Sequence, residues 1–226
     1  MPAGLFAALV VATLTLLGIG ARYQVHGDLN ALHALLSLFL SLNLLIAYWE
    51  IALFLRRDLV ETRTAYWREW SERTGGTPAA EFLRTKVPLV RLLSPALWAD
   101  VWATYAQYDS SYADRRTFGF NVDIVNGFLT PVPTLIVYAA HTLQVLPAVL
   151  TGIVGVILFW QVMYGASVYL VSFFVAGRHA GISRRELYTW IVAPNSPWMA
   201  GGLLGVYVSM RLITDGDYSV LGYPPP

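Results

Sequence analysis

The chain has 226 residues, of which 56% are apolar and only 13% are charged, and it contains no cysteine. Soluble domains carry about 25% charged residues, so this composition excludes a disordered chain, a disulfide-stapled secreted module and an ordinary soluble enzyme. The net charge of +1 excludes a broadly basic nucleic-acid-binding protein. Without cysteine there can be no thiol catalysis, no zinc–thiolate site and no iron–sulfur cluster.

Five apolar segments are long enough to cross a bilayer, which requires roughly 20 apolar residues in a helix. The predicted spans cover residues 2–20, 31–55, 121–146, 150–176 and 190–213. The first segment lacks the basic n-region of a signal peptide, so we interpret it as a span. The sequence therefore predicts an all-α integral membrane protein, a single domain built as a bundle of five transmembrane helices.

The segment 56–120, between the second and third predicted spans, mixes charged and aromatic residues. Its first part, 58–73, has the pattern of a helix that continues out of the second span, and the sequence Gly-Gly-Thr-Pro at 75–78 ends it. A second helix is predicted over 87–108. We expect it to lie at the membrane interface, with its aromatic side chains at the level of the lipid headgroups.

The basic residues are unevenly distributed, because 13 of the 15 Lys and Arg side chains fall in 56–120 or in 177–189. Arg22 and Arg211 lie on the opposite side of the predicted bundle. The positive-inside rule then places the N-terminus and the segment 56–120 in the cytoplasm. The basic residues are 14 Arg and one Lys, which indicates a GC-rich, bacterial source. The membrane would then be the bacterial plasma membrane, or the endoplasmic reticulum in a eukaryote.

Polar side chains inside the predicted spans are the candidate functional residues, because a charge at the bilayer centre costs roughly 2.5–3.5 kcal/mol on insertion scales. Glu50 lies six residues inside Arg56, and Asp123 lies seven residues inside Arg116. Asn195 lies in the first turns of the fifth span, which begins on the same side. Because these groups share one depth, we predict a polar-ended pocket that the helix bundle encloses near the cytoplasmic leaflet.

Each of these residues also has a structural interpretation. Glu50 could extend to the interface or pair with the arginines that follow the second span. Asp123 could cap the N-terminus of the third span, and Asn195 could belong to the turn that begins the fifth. His141, near the opposite face, is interpreted as structural. The four histidines are scattered along the chain and predict no metal site.

The stretch at 102–112, with the sequence WATYAQYDSSY, resembles the start of the core of the emopamil-binding protein family of sterol Δ8–Δ7 isomerases. The membrane fold of that family is the five-helix EXPERA domain. The resemblance covers roughly residues 30–215. Its further matching positions, in chain order, are Phe118, Asp123, Gln161-x-x-Tyr164-Gly165, Tyr169 and Asn195-x-x-Trp198.

The resemblance implies an isomerase or cyclase, embedded in the membrane, that acts on a sterol- or terpenoid-like lipid through a carbocation, with no cofactor and no metal. Together with the shared depth it assigns catalysis to Asp123, Glu50, Asn195 and Trp198. The residues assigned to substrate binding are Trp49, Asn43, Asn126, Tyr164, Tyr169, Asp109 and Tyr112.

One departure from the family concerns the proton donor. The isomerases carry a His-x-x-x-Glu pair in the second span, and at the matching positions, aligned on Trp49, this chain has Asn43 and Ala47. Glu50 lies three residues after Ala47 and so on roughly the same face of the helix. It could therefore act as the acid in place of the missing pair.

Two other classes of function stay open. The loss of the His-x-x-x-Glu pair favours a non-catalytic protein that binds sterols, other lipids or amphiphilic amines. A transporter or channel is disfavoured, because the sequence shows five spans and no inverted repeat. The expected partners are a sterol or terpenoid substrate, membrane lipids and, as an option, a second copy in a homodimer, with no nucleic acid.

Overall fold

The computed structural model describes residues 1–224, and within that range the chain is helical and forms no strand. The α-helices are α1 (Ala3–His26), α2 (Ala31–Leu55), α3 (Arg57–Thr74), α4 (Pro78–Arg84), α5 (Leu89–Leu92), α6 (Pro95–Tyr105), α7 (Phe118–Leu129), α8 (Pro131–Leu143), α9 (Ala148–Val175), α10 (Arg184–Glu186) and α11 (Ala193–Asp215). Short 3₁₀ turns lie at Ser110–Ala113, Arg178–Gly181 and Ser219–Leu221, and a π-helical turn covers Leu187–Val192.

The chain forms two compact units, and each draws on several stretches of sequence. The first unit consists of Met1–Leu9, Ile46–Phe128 and Ser167–Ser196. The second consists of Val10–Leu45, Leu129–Ala166 and the described residues from Pro197 onward. The prediction of a single domain stays a prediction.

Among the described residues, three helices are long and apolar enough to cross a membrane, namely α1, α2 and α9. The bent pair α7 and α8 would be a fourth span if it crosses as one unit. The break lies at Thr130, because Pro131 begins α8 and its ring nitrogen cannot donate the hydrogen bond that would continue α7. Several apolar helices therefore indicate a multi-pass membrane protein, and the second and fourth predicted spans coincide with α2 and α9.

The fifth predicted span falls on α11, which is not among these apolar helices. It has 23 residues, but its first turns contain Asn195, Ser196 and Pro197, and Arg211 and Asp215 lie near its end. These polar residues lower its mean hydropathy. The predicted count of five spans is thus not confirmed, and residues 1–224 provide three spans or, with the bent pair, four.

The segment between α2 and α7 is more folded than the sequence indicated. The helix predicted over 58–73 is confirmed as α3, and Gly75 ends it in the left-handed conformation with φ of 64°. The single helix predicted over 87–108 is wrong, because Ser94 caps a new helix that begins at Pro95. The tryptophans of α6 do not face the headgroups either, since Trp98 is fully buried and Trp102 is nearly so.

In the second unit, apolar side chains such as Leu36, Phe39 and Phe159 form a continuous core. Glycines bring its helices close together. A Cβ atom at Gly205 would overlap the ring of Phe159, so only glycine allows this approach.

Candidate functional site

Glu50 and Asp123, the two carboxylates that the sequence placed at one depth, both belong to the first unit. Glu50 is buried near the end of α2, with 6% of its surface exposed. A Cβ atom at Gly127 would lie 2.7 Å from the Cβ of Glu50, so α7 passes α2 at a distance that requires glycine. Gly127 lies four residues after Asp123 and so on the same face of α7. Asp123 therefore lies about one helical turn from the contact between α7 and Glu50.

Asp123 is held by a tyrosine that follows α6. The Tyr112 hydroxyl donates a hydrogen bond to Oδ2 of Asp123 at 2.5 Å. Because α7 begins at Phe118, Asp123 lies within the helix, so the alternative that it caps the N-terminus is wrong. Burial raises the pKa of the Tyr112 hydroxyl well above its ordinary value. The protonated Tyr112 hydroxyl is therefore the donor in its hydrogen bond to Asp123.

Aromatic rings pack around Tyr112, the hydrogen-bond donor to Asp123. Tyr112 stacks on Trp102, with ring centroids 5.1 Å apart, and meets the edge of Tyr105 at 5.0 Å. The indole nitrogen of Trp102 donates to the backbone carbonyl of Trp49 at 2.7 Å. Trp49 in turn stacks on Trp98 at 5.2 Å. We call these five side chains the aromatic wall.

Trp49 also has a donor without a protein partner. Its indole Nε1 is buried and makes no hydrogen bond to any residue within 1–224. A buried N–H group without a partner costs free energy comparable to a lost hydrogen bond. A ligand oxygen near Trp49 would satisfy this donor, which agrees with the prediction that Trp49 binds substrate.

A chain of hydrogen bonds links Asn195 to a buried ion pair. Asn195 Nδ2 lies 3.4 Å from the Tyr105 hydroxyl, which lies 2.9 Å from the hydroxyl of Tyr169. The Tyr169 hydroxyl donates to Oδ2 of Asp109 at 2.8 Å. Because the single hydroxyl proton of Tyr169 goes to Asp109, Tyr105 must be the donor between the two tyrosines. Every bond in the chain therefore points from Asn195 toward Asp109.

Asp109 is the end of that chain and is completely buried. Nη1 of Arg178 donates to its Oδ1 at 2.9 Å, and the backbone N–H of Ser111 donates to the same oxygen at 2.9 Å. With the Tyr169 hydroxyl, three donors surround one carboxylate. These three donors hold the carboxylate in one orientation inside the first unit.

A polar cleft of about 330 Å³ lies beside this ion pair. Its lining includes Ser111, Asp114, Thr117, Ser172 and Arg178. The Nη2 atom of Arg178 donates to the hydroxyl of Ser172 at 3.0 Å, which fixes the guanidinium between Asp109 and the cleft.

Asn195 lies inside α11, whose first residue is Ala193. Its amide donates to the Ile191 carbonyl at 2.7 Å as well as toward Tyr105. Asn195 thus lies in the first turn of α11, as the structural alternative has it, and its side chain also joins the hydrogen-bond chain of the first unit.

Eight of the eleven predicted site residues belong to the first unit: Glu50, Asp123, Asn195, Trp49, Asn126, Tyr169, Asp109 and Tyr112.

The other three predicted residues belong to the second unit and have different surroundings. Asn43 donates to Oγ1 of Thr134 at 2.9 Å. Trp198 meets the edge of Phe39, with ring centroids 5.5 Å apart. Tyr164 is 52% exposed and stacks on the equally exposed Trp160, so it lies on the surface of its unit.

Sequence reasoning missed two members of the network, Tyr105 and Arg178. Tyr105 lies in the stretch 102–112, four residues before Asp109, and this short spacing was the signal that could have indicated a shared network. Arg178 was counted only as one of the basic residues that set orientation. It pairs with Asp109 across 69 residues of chain, and no local pattern predicts such a pairing.

Comparison with known protein families, with curated proteins and with solved structures gives no match for this chain.

Proposed function

We propose that the protein is a membrane-embedded isomerase or cyclase of the emopamil-binding, EXPERA-like type, which acts on a sterol- or terpenoid-like lipid through a carbocation. One observation carries the proposal: Glu50 is buried where α7 passes α2 at Gly127, and the partly buried Asp123 lies one turn earlier on α7, bound to Tyr112 among aromatic rings. Carbocation chemistry needs an acid, an anion and π-faces, and this is the set that the first unit contains.

In the proposed mechanism, Glu50 donates a proton to an alkene of the substrate. The π electrons form the new C–H bond, Glu50 becomes a carboxylate and a carbocation remains on the substrate. Asp123, oriented by Tyr112, stabilises the cation electrostatically. The aromatic wall adds cation–π stabilisation of about 2 kcal/mol or more where water is excluded.

The reaction ends when a base removes a proton from the carbon next to the cation, and the chain from Tyr105 to Asp109 supplies one. The substrate C–H electron pair becomes the new double bond, and its proton passes to the Tyr105 oxygen. Tyr105 releases its own proton to Tyr169, and Tyr169 releases its proton to Asp109. Each donor in this sequence already points to the next acceptor, so no reorientation is needed.

Tyr169→Phe tests this relay, because it removes one hydroxyl and keeps the ring. We expect cation formation to continue while the product mixture shifts from the single native alkene to isomeric alkenes or an alcohol formed by water. Tyr188→Phe, on the exposed surface of the same unit, is the matched control. An unchanged product ratio in Tyr169→Phe would exclude the relay.

We further propose that the segment 56–120 and the N-terminus are cytoplasmic, as the charge distribution predicts, in a bacterial plasma membrane or in the endoplasmic reticulum of a eukaryote. A sterol or terpenoid lipid would then reach the first unit from the cytoplasmic leaflet. The proposed partners remain that lipid, the membrane lipids and, as an option, a second copy of the chain.

A second candidate function is a lipid- or amine-binding protein without catalysis. The observation in its favour is Asn43, which occupies the position of the family's histidine and donates to Thr134. An amide in a structural hydrogen bond cannot protonate an alkene. Glu50 therefore decides between the two candidates.

A binding experiment tests the site that both candidates share. Thermal unfolding in detergent is measured with an amphiphilic amine and with its neutral isostere, because a protonated amine with an apolar body mimics a carbocation. A ligand that binds only the folded state adds about 2.7 kcal/mol at a hundredfold excess over Kd. We expect the amine to stabilise more than the isostere, and Asp123→Asn to remove the difference. Equal shifts for both compounds would reject a cation site.

A further inference from the structure

The helix α5 and the residue after it present an unusually exposed apolar surface. Leu89 is 66% exposed, Val90 85% and Leu93 72%, whereas Leu92 between them is completely buried. Leu92 therefore anchors the helix in the first unit, and its neighbours extend outward. We call Leu89, Val90 and Leu93 the apolar tip.

Hydrogen bonds hold the apolar tip beside two membrane-spanning helices. The amine of Met1 donates to the carbonyl of Val87 at 2.9 Å, and the backbone N–H of Ala3, the first residue of α1, donates to the carbonyl of Thr85 at 3.1 Å. On the other side, the Tyr48 hydroxyl donates to the carbonyl of Leu93 at 2.9 Å. The segment 85–93 is thus fixed between the start of α1 and the last two turns of α2.

This position sets the depth of the apolar tip. Tyr48 lies seven residues before the end of α2, which corresponds to about 10 Å along the helix at 1.5 Å per residue. A carbonyl bound to Tyr48 lies nearer to the bilayer core than the last turn of α2. The apolar tip therefore lies at the boundary between headgroups and acyl chains, where exposed leucine and valine side chains are stable.

Basic side chains accompany the apolar tip. Arg84, Lys86 and Arg91 are all exposed, and they lie before and within α5. Anionic lipids attract basic residues close to the membrane surface by about 1 kcal/mol each. Apolar side chains flanked by basic ones are the combination that binds to the surface of an anionic bilayer.

We propose that α5 and Leu93 form an interfacial anchor that inserts Leu89, Val90 and Leu93 into the bilayer, with Arg84, Lys86 and Arg91 on anionic headgroups. This inference does not depend on the proposed function. It replaces the expectation that the tryptophans of α6 lie at the interface, because Trp98 is buried inside the first unit.

The anchor also touches the candidate site. The indole nitrogen of Trp98 donates to the carbonyl of Leu92 at 2.8 Å, and Trp98 stacks on Trp49, the residue before Glu50. An anchored α5 would therefore hold in place the Leu92 carbonyl that accepts the hydrogen bond from Trp98. A displacement of α5 by a different lipid composition would reach the aromatic wall through Trp98 and Trp49.

The absence of cysteine from the sequence makes a direct test simple. The Val90→Cys variant is labelled with a nitroxide and placed in vesicles of phosphatidylcholine and phosphatidylglycerol. The depth of the label in the bilayer is then measured from its collision rates with oxygen and with a water-soluble nickel chelate. Two labelled controls bracket the result: Ala65→Cys on the exposed surface of α3 and Leu16→Cys on α1. We expect nickel collisions at Val90 to be several-fold fewer than at Ala65. Equal values at the two positions would overturn the anchor.

Two further arms separate the alternatives. Replacing the three basic residues together by Gln should make the Val90 label shallower and independent of phosphatidylglycerol. If the label in the Gln variant responds to phosphatidylglycerol as strongly as the label in the protein with its three basic residues, the electrostatic part of the proposal is wrong. Spin–spin broadening at Val90 that persists as the protein is diluted in lipid would show that a second copy covers the apolar tip, and would overturn the anchor.

Discussion

The two units of the chain bury different kinds of polar group. In the first unit the buried groups include the carboxylates of Glu50 and Asp109, and Asp109 is surrounded by side chains from distant parts of the chain. In the second unit the buried polar side chains are mostly hydroxyls, some of which bond within their own helix, and the guanidinium of Arg22 is buried beside the more exposed Asp28. Ser41 donates to the Ser37 carbonyl and Ser209 to the Gly205 carbonyl, both at 2.7 Å.

This difference separates a region suited to chemistry from a region suited to packing. A hydroxyl bonded to the preceding turn needs no partner from another helix, so it stabilises little beyond its own position. A buried carboxylate needs partners and is costly without them. The first unit accepts that cost for two carboxylates in a place where a ligand could use the charge, whereas the charge buried in the second unit, Arg22, pairs with Asp28 at the connection between α1 and α2.

The largest expected effect concerns the chemical role of the first unit. Glu50→Gln keeps the shape of the side chain and removes the acid. If the protein is an enzyme, turnover should fall by about 10²–10⁴-fold, the usual contribution of a general acid, while ligand binding changes by no more than a few fold. Product formation is measured by gas chromatography beside a binding assay.

Asp123→Asn is the companion variant and should reduce both turnover and amine binding. A fully active Glu50→Gln protein would remove Glu50 from the mechanism. Asp123 or an acidic group on the substrate would then be the remaining source of the proton.

The next largest effect concerns the buried ion pair. Arg178→Ala leaves the completely buried Asp109 without its cation, and breaking a buried pair in this way costs about 3–5 kcal/mol. The free energy of unfolding is measured in detergent. Arg185→Ala, an exposed arginine on the same connection, should change it by less than about 0.5 kcal/mol. Equal losses would mean that the ion pair contributes nothing specific to the first unit.

A glycine variant tests the packing of the second unit. A Cβ atom in Gly205→Ala would overlap the Phe159 ring, and overpacking a core costs about 1–3 kcal/mol. Gly20→Ala in α1 is the matched control, because nothing lies within 4 Å of its added Cβ. It should be neutral or stabilising by up to about 1 kcal/mol. A tolerated Gly205→Ala would show that the helices can separate without loss.

The smallest effect is a pH dependence at one end of the second unit. The Arg22 guanidinium, which donates to both oxygens of Asp28, lowers the pKa of that carboxyl below its ordinary value of 3.8. The folded state is therefore stabilised at a pH above about 4, and this stabilisation is lost as the pH falls through the lowered pKa. The unfolding temperature should decrease over that acid range, and Asp28→Asn should flatten the decrease. An identical pH profile in the variant would contradict this assignment.

Local patterns in the sequence determined the helices and part of the site. The apolar segments predicted α1, α2 and α9 because burial in lipid requires long runs without charge. Gly75 predicted the end of α3, because glycine adopts the left-handed conformation without strain. The shared depth of Glu50 and Asp123 brought the two carboxylates together, since position along a helix converts directly into distance along its axis.

Tertiary structure decided which side chains meet around those helices. The rotation of each helix is set by packing against its neighbours. Periodicity in a segment that is apolar on all sides does not reveal that rotation. Tyr164 therefore lies at the surface, whereas Tyr169, five residues later, lies inside the network. The pairing of Arg178 with Asp109 depends on contacts between distant segments. The sequence supplied the charges, and only the folded chain selected their partners.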